Sequence, residues 1–295
     1  MLQQAAAAAA AGQQYPAGAL YLVATPIGNL ADISLRAIHV LGLVDAVACE
    51  DTRISAGLLR HLGWDKPLIA LHEHNETRAA GGVIERLGRG ERVAYVSDAG
   101  TPAVSDPGAA LVAAVRAAGH RCVPLPGASS AIAALSVAGD TGGNFRFAGF
   151  LPAKGAQRRE ALAGVGPETT VLFEAPHRIE ALASALGELM PARAVTVCRE
   201  LTKQFESVDT MAAAALPAWL AADPNRTRGE FVVVLHAVEA PATQALALPS
   251  EAERTLSLLL DAALPMKQAV LLAAAITGAP RNRLYDRALE LRPPA

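Results

Sequence analysis

Between Leu20 and Pro126 the chain alternates short aliphatic runs with stretches whose apolar positions recur every three or four residues. Short apolar runs suit strands buried on both faces, and the longer period suits helices laid across them, so the pattern predicts βαβ units. Strands are expected at Leu20–Ala24, Ala46–Cys49, Leu68–Leu71, Val93–Ser97 and Arg121–Pro124. Helices are expected between them at Ser34–Val44, Ile54–Leu62, Glu76–Leu87 and Gly108–Ala118, the last stopped by Gly119. The first half therefore reads as an α/β domain on a mainly parallel sheet.

The second half has apolar runs at Phe145–Phe150, Thr170–Phe173, Val195–Arg199, Phe205–Asp209 and Phe231–His236. Helical patterns at Ala128–Val137, Gln157–Leu162, Arg178–Leu189 and Met211–Leu220 separate only some of them. Too few residues lie between the runs at Val195 and Phe205 for a helical crossover, so these two should pair antiparallel. A mixed α/β domain is the consequence. An Ala- and Pro-rich stretch then leads to a helical pattern through Met266–Ile276, opened by Pro265, and a shorter one at Asn282–Leu291 after a Gly278-Ala279-Pro280 break. That is the outline of a helix-turn-helix. The expected organisation is an Ala-rich disordered tail at 1–17, α/β domains at 18–127 and 128–238, a linker at 239–250 and a small helical domain at 251–295.

Charge narrows the picture. The formal net charge is -2, which argues against coating nucleic acid by bulk positive charge, so any RNA contact must use a local patch. The start lacks a basic n-region and a branched apolar core, and no run reaches the ~18 apolar residues of a membrane span. Cys49, Cys122 and Cys198 lie far apart in apolar runs, as expected of reduced thiols in a cytoplasmic protein.

Three loops follow strands of the first half: Thr25-Pro26-Ile27-Gly28-Asn29-Leu30, Ser97-Asp98-Ala99-Gly100-Thr101-Pro102 and Pro124-Leu125-Pro126-Gly127. In open α/β sheets this carboxyl edge binds ligands, and Gly and Pro there give stiff loops that a ligand approaches closely. Neither a dinucleotide fingerprint nor a P-loop is present, and Ser129-Ser130 does not form a G-x-S-x-G elbow. His72-Glu73-His74-Asn75-Glu76 lacks the i, i+4 histidines of a zinc helix, so no metal is expected and a polar turn lining a cleft is. Charged clusters at other strand ends, Glu50-Asp51-Thr52-Arg53, Glu174-Ala175-Pro176-His177-Arg178 and Arg199-Glu200-Leu201-Thr202-Lys203, should converge on one cleft, with Lys154, Arg158 and Arg159 as a basic patch suited to phosphates. Arg283 and Arg287 share a helical face and offer a second patch, while Leu284 and Ala288 turn towards the preceding helix.

Taken in order, TPIGNLADIS, ACEDTR, LHEHNE, VSDAGTPAVSDPG, PLPGASSA, GFLPAKG, FEAPHR and RELTK resemble the small-subunit ribosomal RNA methyltransferase I family of the tetrapyrrole methylase superfamily. KQAVLLAAAITGAPRNRLYDRAL resembles that family's C-terminal domain. The resemblance implies two α/β domains flanking an S-adenosylmethionine cleft, a homodimer, and methylation of the ribose 2′-hydroxyl of a cytidine in the decoding region of the small ribosomal subunit. It places the cofactor against Pro26, Asp98, Ala99, Gly100, Val104, Ser130, Ala131 and Phe173. A ribose hydroxyl is weakly acidic, so a base is needed, and Glu174, Glu200 and His177 are the candidates. Arg53, Lys154, Arg178, Arg199 and Lys203 are expected to hold phosphates. The alternatives are a tetrapyrrole C-methyltransferase, which would need no terminal helical domain, and a non-catalytic ribosome assembly factor.

Overall fold

A computed structural model describes residues 1–72, 76–105, 107–238, 248, 250–262 and 264–291. It divides into two units, Met1–Ala237 and Val238–Ala295. The first unit begins with β1 (Ala19–Val23), β2 (Ala46–Cys49), β3 (Leu68–Ala70), β4 (Val93–Val96) and β5 (Arg121–Leu125). These pair in parallel in the order β3-β2-β4-β1-β5. Alternate residues of each strand serve different layers, as the two-residue repeat of a strand requires. Tyr21 and Val23 of β1 pack with Ile38, Val40 and Leu41 of α2 (Leu35–Leu43) and Leu59 of α3 (Thr52–His61). Leu20 packs on the other face with Val83 and Leu87 of α4 (Glu76–Gly88) and Leu111 of α5 (Ala109–Ala117).

The Ala-rich start departs from expectation. Rather than a disordered tail, residues Leu2–Ala10 form α1, which packs on α2. Ala6 and Ala10 are buried, and Gln3 Nε2 donates to the Leu62 carbonyl at 2.8 Å. Alanine has the highest helix propensity, and a methyl-only face lets the helix lie close to its neighbour.

Helix α5 starts in a way the local sequence does not announce. Its N-cap, Gly108, has φ +121° and no side chain to cap the helix. Glu76 Oε1 instead accepts from the N–H groups of Gly108, Ala110 and Leu111 at 2.9–3.2 Å. A carboxylate borrowed from another helix thus satisfies three orphan donors and faces the positive end of the helix dipole. Glu76 was expected to line a cleft; it caps a helix, while Glu73, His74 and Asn75 of the same cluster lie outside the described residues.

The second sheet contains β6 (Phe145–Phe150), β7 (Thr169–Glu174), β8 (Ala194–Arg199), β9 (Ser207–Ala212) and β10 (Phe231–Leu235) in the order β6-β7-β10-β8-β9. Only β6 and β7 pair in parallel; β10 runs antiparallel to both neighbours and β8 antiparallel to β9. One face carries α6 (Ser130–Ala138), whose Ala131, Ala134 and Ala138 meet Val171, Val232 and Val234. The other carries α8 (Ile179–Leu189), with Leu162 of α7 (Gly155–Ala163) and Leu216 and Leu220 of α9 (Leu216–Ala221). The helix expected at Met211–Leu220 is shorter, because β9 runs on to Ala212 and a 3-10 turn at Ala213–Ala215 precedes α9. Thr210 and Met211 extend the ladder with β8, so tertiary pairing overrides the local helical pattern.

The end of β10 is pinned by Asp140, which accepts from the Ala237 N–H at 3.0 Å and from the Thr169 hydroxyl, with His236 Nδ1 at 3.7 Å. Burial pushes the Asp140 carboxyl up, but the hydrogen bonds from Thr169, Ala237 and Gly142 and the nearby His236 outweigh it and hold it below the usual value of 3.8. A depressed carboxylate stabilises the fold fully above its unfolded pKa, and that contribution is lost as pH falls through the folded value. Asp140→Ala should therefore destabilise the unit by about 1–3 kcal/mol at neutral pH. In urea unfolding, the gap from wild type should close as the pH is taken below about 4.

The second unit holds α10 (Ser250–Asp261), α11 (Met266–Thr277) and α12 (Arg281–Leu291). The first of these was not anticipated. Leu256, Leu260, Ala269, Ala273, Leu284 and Ala288 form its core, so Leu284 and Ala288 turn inward as their spacing predicted. Most of the expected linker, residues 239–247 and 249, lies outside the described residues, as does Arg292. Among the described residues no helix is long and apolar enough to cross a membrane.

Candidate active site

The carboxyl edges of the two sheets of the first unit share a cavity of about 420 Å³. From the first sheet come Ile27 after β1, Ala99, Gly100 and Thr101 after β4, and Ser129 and Ser130 after β5. From the second come Phe150 at the end of β6, Phe173 and Glu174 at the end of β7, and Phe231 and Val232 at the start of β10. Since β10 is antiparallel, its first residues reach the same edge as the last residues of β7 and β8.

The loops of the first sheet are fixed to one another. Thr25 and Gly100 exchange backbone hydrogen bonds at 2.9 and 3.1 Å, and the Thr101 hydroxyl donates to the Ala128 carbonyl at 3.1 Å. Three loops that follow the adjacent strands β4, β1 and β5 thereby form one wall, a preorganised surface that loses little entropy on meeting a ligand. The opposite wall is aromatic, with Phe173 edge-on to Phe147 and Phe150 at centroid distances of 5.1 and 5.6 Å.

Six of the expected cofactor residues, Ala99, Gly100, Val104, Ser130, Ala131 and Phe173, line the cavity; Pro26 and Asp98 do not. Ile27 lines it in place of Pro26. Asp98 Oδ1 accepts from the Asp51 N–H at 3.0 Å and ties the end of β4 to the end of β2.

The three candidate bases separate. His177 is exposed on a 3-10 turn, Pro176–Arg178, and is not part of the lining. Glu200 also stays outside the lining: its Oε1 accepts from Lys203 Nζ and from the Glu230 N–H, both at 2.9 Å. Burial pushes the Glu200 carboxyl up, yet these two donors, with the Lys203 and Arg199 charges, hold it below the usual range. A carboxylate so engaged is a weak proton acceptor. Glu174 lines the cavity, and its side chain is 0% exposed. One oxygen, Oε1, accepts from the Ala175 N–H at 2.9 Å and lies 2.9 Å from Arg178 Nε; the other, Oε2, is buried without a partner.

The expected phosphate-binding residues are mostly engaged within the protein. Arg53 is paired with Asp51 at 2.6 Å, and hydrogen bonds from Arg53 bring the Asp51 carboxyl down to about 2. Arg199 donates to the Phe205 carbonyl at 2.9 Å and braces the β8–β9 turn. Lys203 lies between Glu200 and Glu230, 2.9 Å from each, and burial, which lowers its pKa, is outweighed by these two hydrogen bonds. Arg178 meets Glu174 and donates to the Leu151 carbonyl. Arg287 is paired with Glu253 and Glu290, whereas Lys154 is exposed at the N-cap of α7. Arg283 is half-buried beside the core residue Leu284.

Lys203 also explains the glycine of the first loop. A Cβ on Gly28 would sit 2.5 Å from Lys203 Cγ and 3.0 Å from Thr202 Oγ1, so only glycine admits the loop of the second sheet at this approach. Glu200 and Thr202 hold that loop in left-handed conformations, φ +52° and +67°, strained for the β-branched Thr202. Sequence reasoning missed Ile27, Cys198, Leu201, Glu230 and Val232 as lining residues. Burial pushes the Cys198 thiol up to about 12, so it is an apolar wall group rather than a nucleophile. Among the described residues no three His, Cys, Asp or Glu side chains gather as a metal site would require.

A model of the tetrapyrrole (corrin/porphyrin) methylases matches residues 19–217, and one of the RsmI C-terminal HTH domain matches residues 247–292. Ribosomal RNA small subunit methyltransferase I of Pseudomonas aeruginosa is 50% identical over 93% of this chain and 98% of its own. The protein of the same name from Escherichia coli O157:H7 is 47% identical over 92% and 95%. The chain belongs to the ribosomal RNA small subunit methyltransferase I family. A solved diphthine synthase aligns at TM-score 0.56 and 17% identity over 74% of this chain and 90% of that one. A uroporphyrin-III C-methyltransferase from Thermus thermophilus, solved with S-adenosyl homocysteine, aligns at TM-score 0.51 and 16% identity over 73% of this chain and 96% of its own. At such identity they share the fold of this methyltransferase family member and nothing finer.

Proposed function

We propose that this chain transfers the methyl group of S-adenosylmethionine to small-subunit ribosomal RNA in the cytoplasm, at the ribose 2′-hydroxyl of a cytidine in the decoding region. The observation that carries the reading is the near-full-length identity to ribosomal RNA small subunit methyltransferases I, whose matched span includes both walls of the cavity. The cavity suits the cofactor on its own terms. Its volume of about 420 Å³ lies in the ~300–1,000 Å³ range of small-molecule sites. Small side chains at Ala99, Gly100 and Ala131 leave backbone accessible, Phe173 supplies an aromatic edge, and Ser129, Ser130 and Thr101 supply hydroxyls. S-adenosylmethionine, when bound, supplies a methyl group made electrophilic by a sulfonium, so the protein's task is alignment.

Ala99, Gly100, Val104, Ser130, Ala131 and Phe173 hold the cofactor in this reading. Glu174 lines the cavity, and its Oε2, buried without a partner, accepts the proton of the ribose hydroxyl in this reading. Of the expected strand-end cations, Lys154, exposed near the end of β6, is without an ion pair among the described residues and is placed to meet a phosphate. The homodimer is supported by exposed apolar side chains on one side of the second sheet, Ile132 and Val137 on α6 and Val208 on β9, which pack as neighbouring elements. Sedimentation at micromolar concentration tests it.

The helical unit is proposed to touch RNA through Arg281 and Arg283, since Arg287 is neutralised by Glu253 and Glu290. Its other described charges, Glu251, Asp261 and Asp286 against Arg254 and Lys267, leave one net negative charge, so no further positive patch is offered. Arg283→Ala should lower the salt dependence of subunit binding by about one phosphate contact, whereas Arg287→Ala should leave that slope unchanged. Equal slopes for both variants would remove the unit from the RNA interface. The function as a whole is tested by incubating purified protein, tritiated cofactor and unmethylated small subunits, then mapping the label. Label on a ribose 2′-oxygen of 16S-type RNA is expected; label on a base, or none, rejects the reading.

A further inference from the structure

Arg178 has the character of a phosphate-binding residue in the sequence and a different one in the fold. Its side chain is only 18% exposed. One guanidinium nitrogen donates to the Leu151 carbonyl, in the turn after β6. Nε lies 2.9 Å from Glu174 Oε1 without hydrogen-bond alignment, a close ionic contact rather than a shared proton. Glu174 Oε1 is held from its other side by the Ala175 N–H at 2.9 Å. The carboxylate is thus fixed at one oxygen by two groups, and its second oxygen is buried with no partner of its own in a residue that lines the cavity.

Burying a carboxylate oxygen without a donor is unfavourable, and a site tolerates it where a ligand supplies the donor. A carboxylate is also free to rotate about its last bond unless something fixes its plane. Arg178 does so, because the 3-10 turn at Pro176–Arg178 sets it four residues beyond Glu174 and the Leu151 carbonyl anchors its far end. A planar guanidinium anchored in this way has little freedom left to reach a phosphate in solvent.

We propose that Arg178 is a positioning residue: it acts through Glu174, holding the carboxylate turned so that Oε2 is presented to the substrate hydroxyl, and it makes no contact with the RNA backbone. This rests on Glu174 being the base. The ribose oxygen takes the methyl group as the methyl–sulfonium bond breaks and leaves its electron pair on sulfur, while the proton of that hydroxyl goes to Glu174 Oε2 and returns to solvent once product departs.

The experiment is a double-mutant cycle on the full chain with small subunits and S-adenosylmethionine, reading kcat, KM for subunits, cofactor Kd and the salt slope of subunit binding. Arg178→Gln should lower kcat by about 10–100-fold, with KM, Kd and salt slope changed by no more than about twofold. The Glu174→Gln/Arg178→Gln double variant should be no slower than Glu174→Gln alone, since a group acting only through Glu174 has nothing left to position. Arg178→Lys, which keeps the charge and loses the fork, should recover part of the rate. A raised KM and a salt slope reduced by about one would make Arg178 a phosphate ligand and overturn the proposal. Losses that multiply in the double variant would overturn it too, as a role independent of Glu174. If Glu174→Gln itself loses less than about tenfold, the base assignment has failed, and the behaviour of Arg178→Gln then stands apart from it. Should Arg178→Gln not fold, Arg178→Lys is carried through the same cycle and decides between the same outcomes.

Discussion

Glu174→Gln should lower kcat by about 10²–10⁴-fold while S-adenosylmethionine affinity stays within about twofold. The amide keeps the size of the side chain and an oxygen for the Ala175 N–H, so the wall of the cavity persists. It removes the acceptor at Oε2, where the buried carboxylate has an oxygen with no protein partner. Glu200→Gln provides the contrast. Its Oε1 already receives Lys203 and the Glu230 N–H, and it does not line the cavity, so the loss in kcat should stay below about tenfold. Single-turnover methylation of small subunits, with cofactor binding followed by calorimetry, separates the two. Similar losses for both variants would move proton acceptance to water or to a group brought by the RNA.

Gly108→Ala should be the most destabilising single-methyl change in the first unit, at about 3 kcal/mol or more. Two effects add. The backbone at φ +121° is one that L side chains rarely adopt, and the new Cβ would stand 2.2 Å from Cε1 of the buried Tyr95 ring. Tyr95 cannot retreat easily, because it lies in the core with Leu20, Val83 and Leu111 and its hydroxyl donates to the Pro107 carbonyl. The damage should also reach the ligand. The chain from Ala99 to Ser105 forms the cavity wall, and the start of α5, held by Glu76, anchors its far end. Thermal melting should fall and cofactor affinity should weaken together. A variant that melts as wild type does would mean that the ring and helix shift freely, and the anchoring account would fail.

The parallel sheet was legible because its three inner strands, β2, β4 and β1, are continuous apolar runs, the mark of burial on both faces, separated by amphipathic segments. Leu20, Ala46–Cys49 and Val93–Val96 are buried throughout, and the helices between them fall within a few residues of their expected limits. The end of β9 was harder: Met211 and Ala212 precede an alanine run that reads as helix, and only pairing with Val195 and Ala194 makes them strand. The loops at the sheet edge were legible by their Gly and Pro. What their charged residues do was not. Asp98, Arg53, Arg178, Arg199 and Lys203 all looked like ligand contacts, and each has a partner within the protein, which for Arg53 is its near neighbour Asp51. Charge at a strand end tells that a polar group is needed there, but its partner is set by residues distant in sequence, as with Asp51 and Asp98 or Lys203 and Glu230. The apolar part of the lining, Ile27, Cys198 and Val232, carried no polar signal at all.

The last strand of the second sheet is also its middle one. While the chain is being made on the ribosome, the first sheet has all its strands once Leu125 has emerged, and it can pack as a unit. The second sheet stays split: β6-β7 and β8-β9 exist as separate pairs, each with an open edge facing the gap that Phe231–Leu235 will fill. Such edges invite pairing with other chains. The nascent protein therefore passes through a stage, covering the synthesis of residues from β9 to β10, in which it is sticky and has no complete cavity, since Phe231 and Val232 are wall residues. Stability and cofactor binding arrive together with a single strand, and a chain released before Phe231 is a candidate for chaperones and proteases rather than a partly active enzyme.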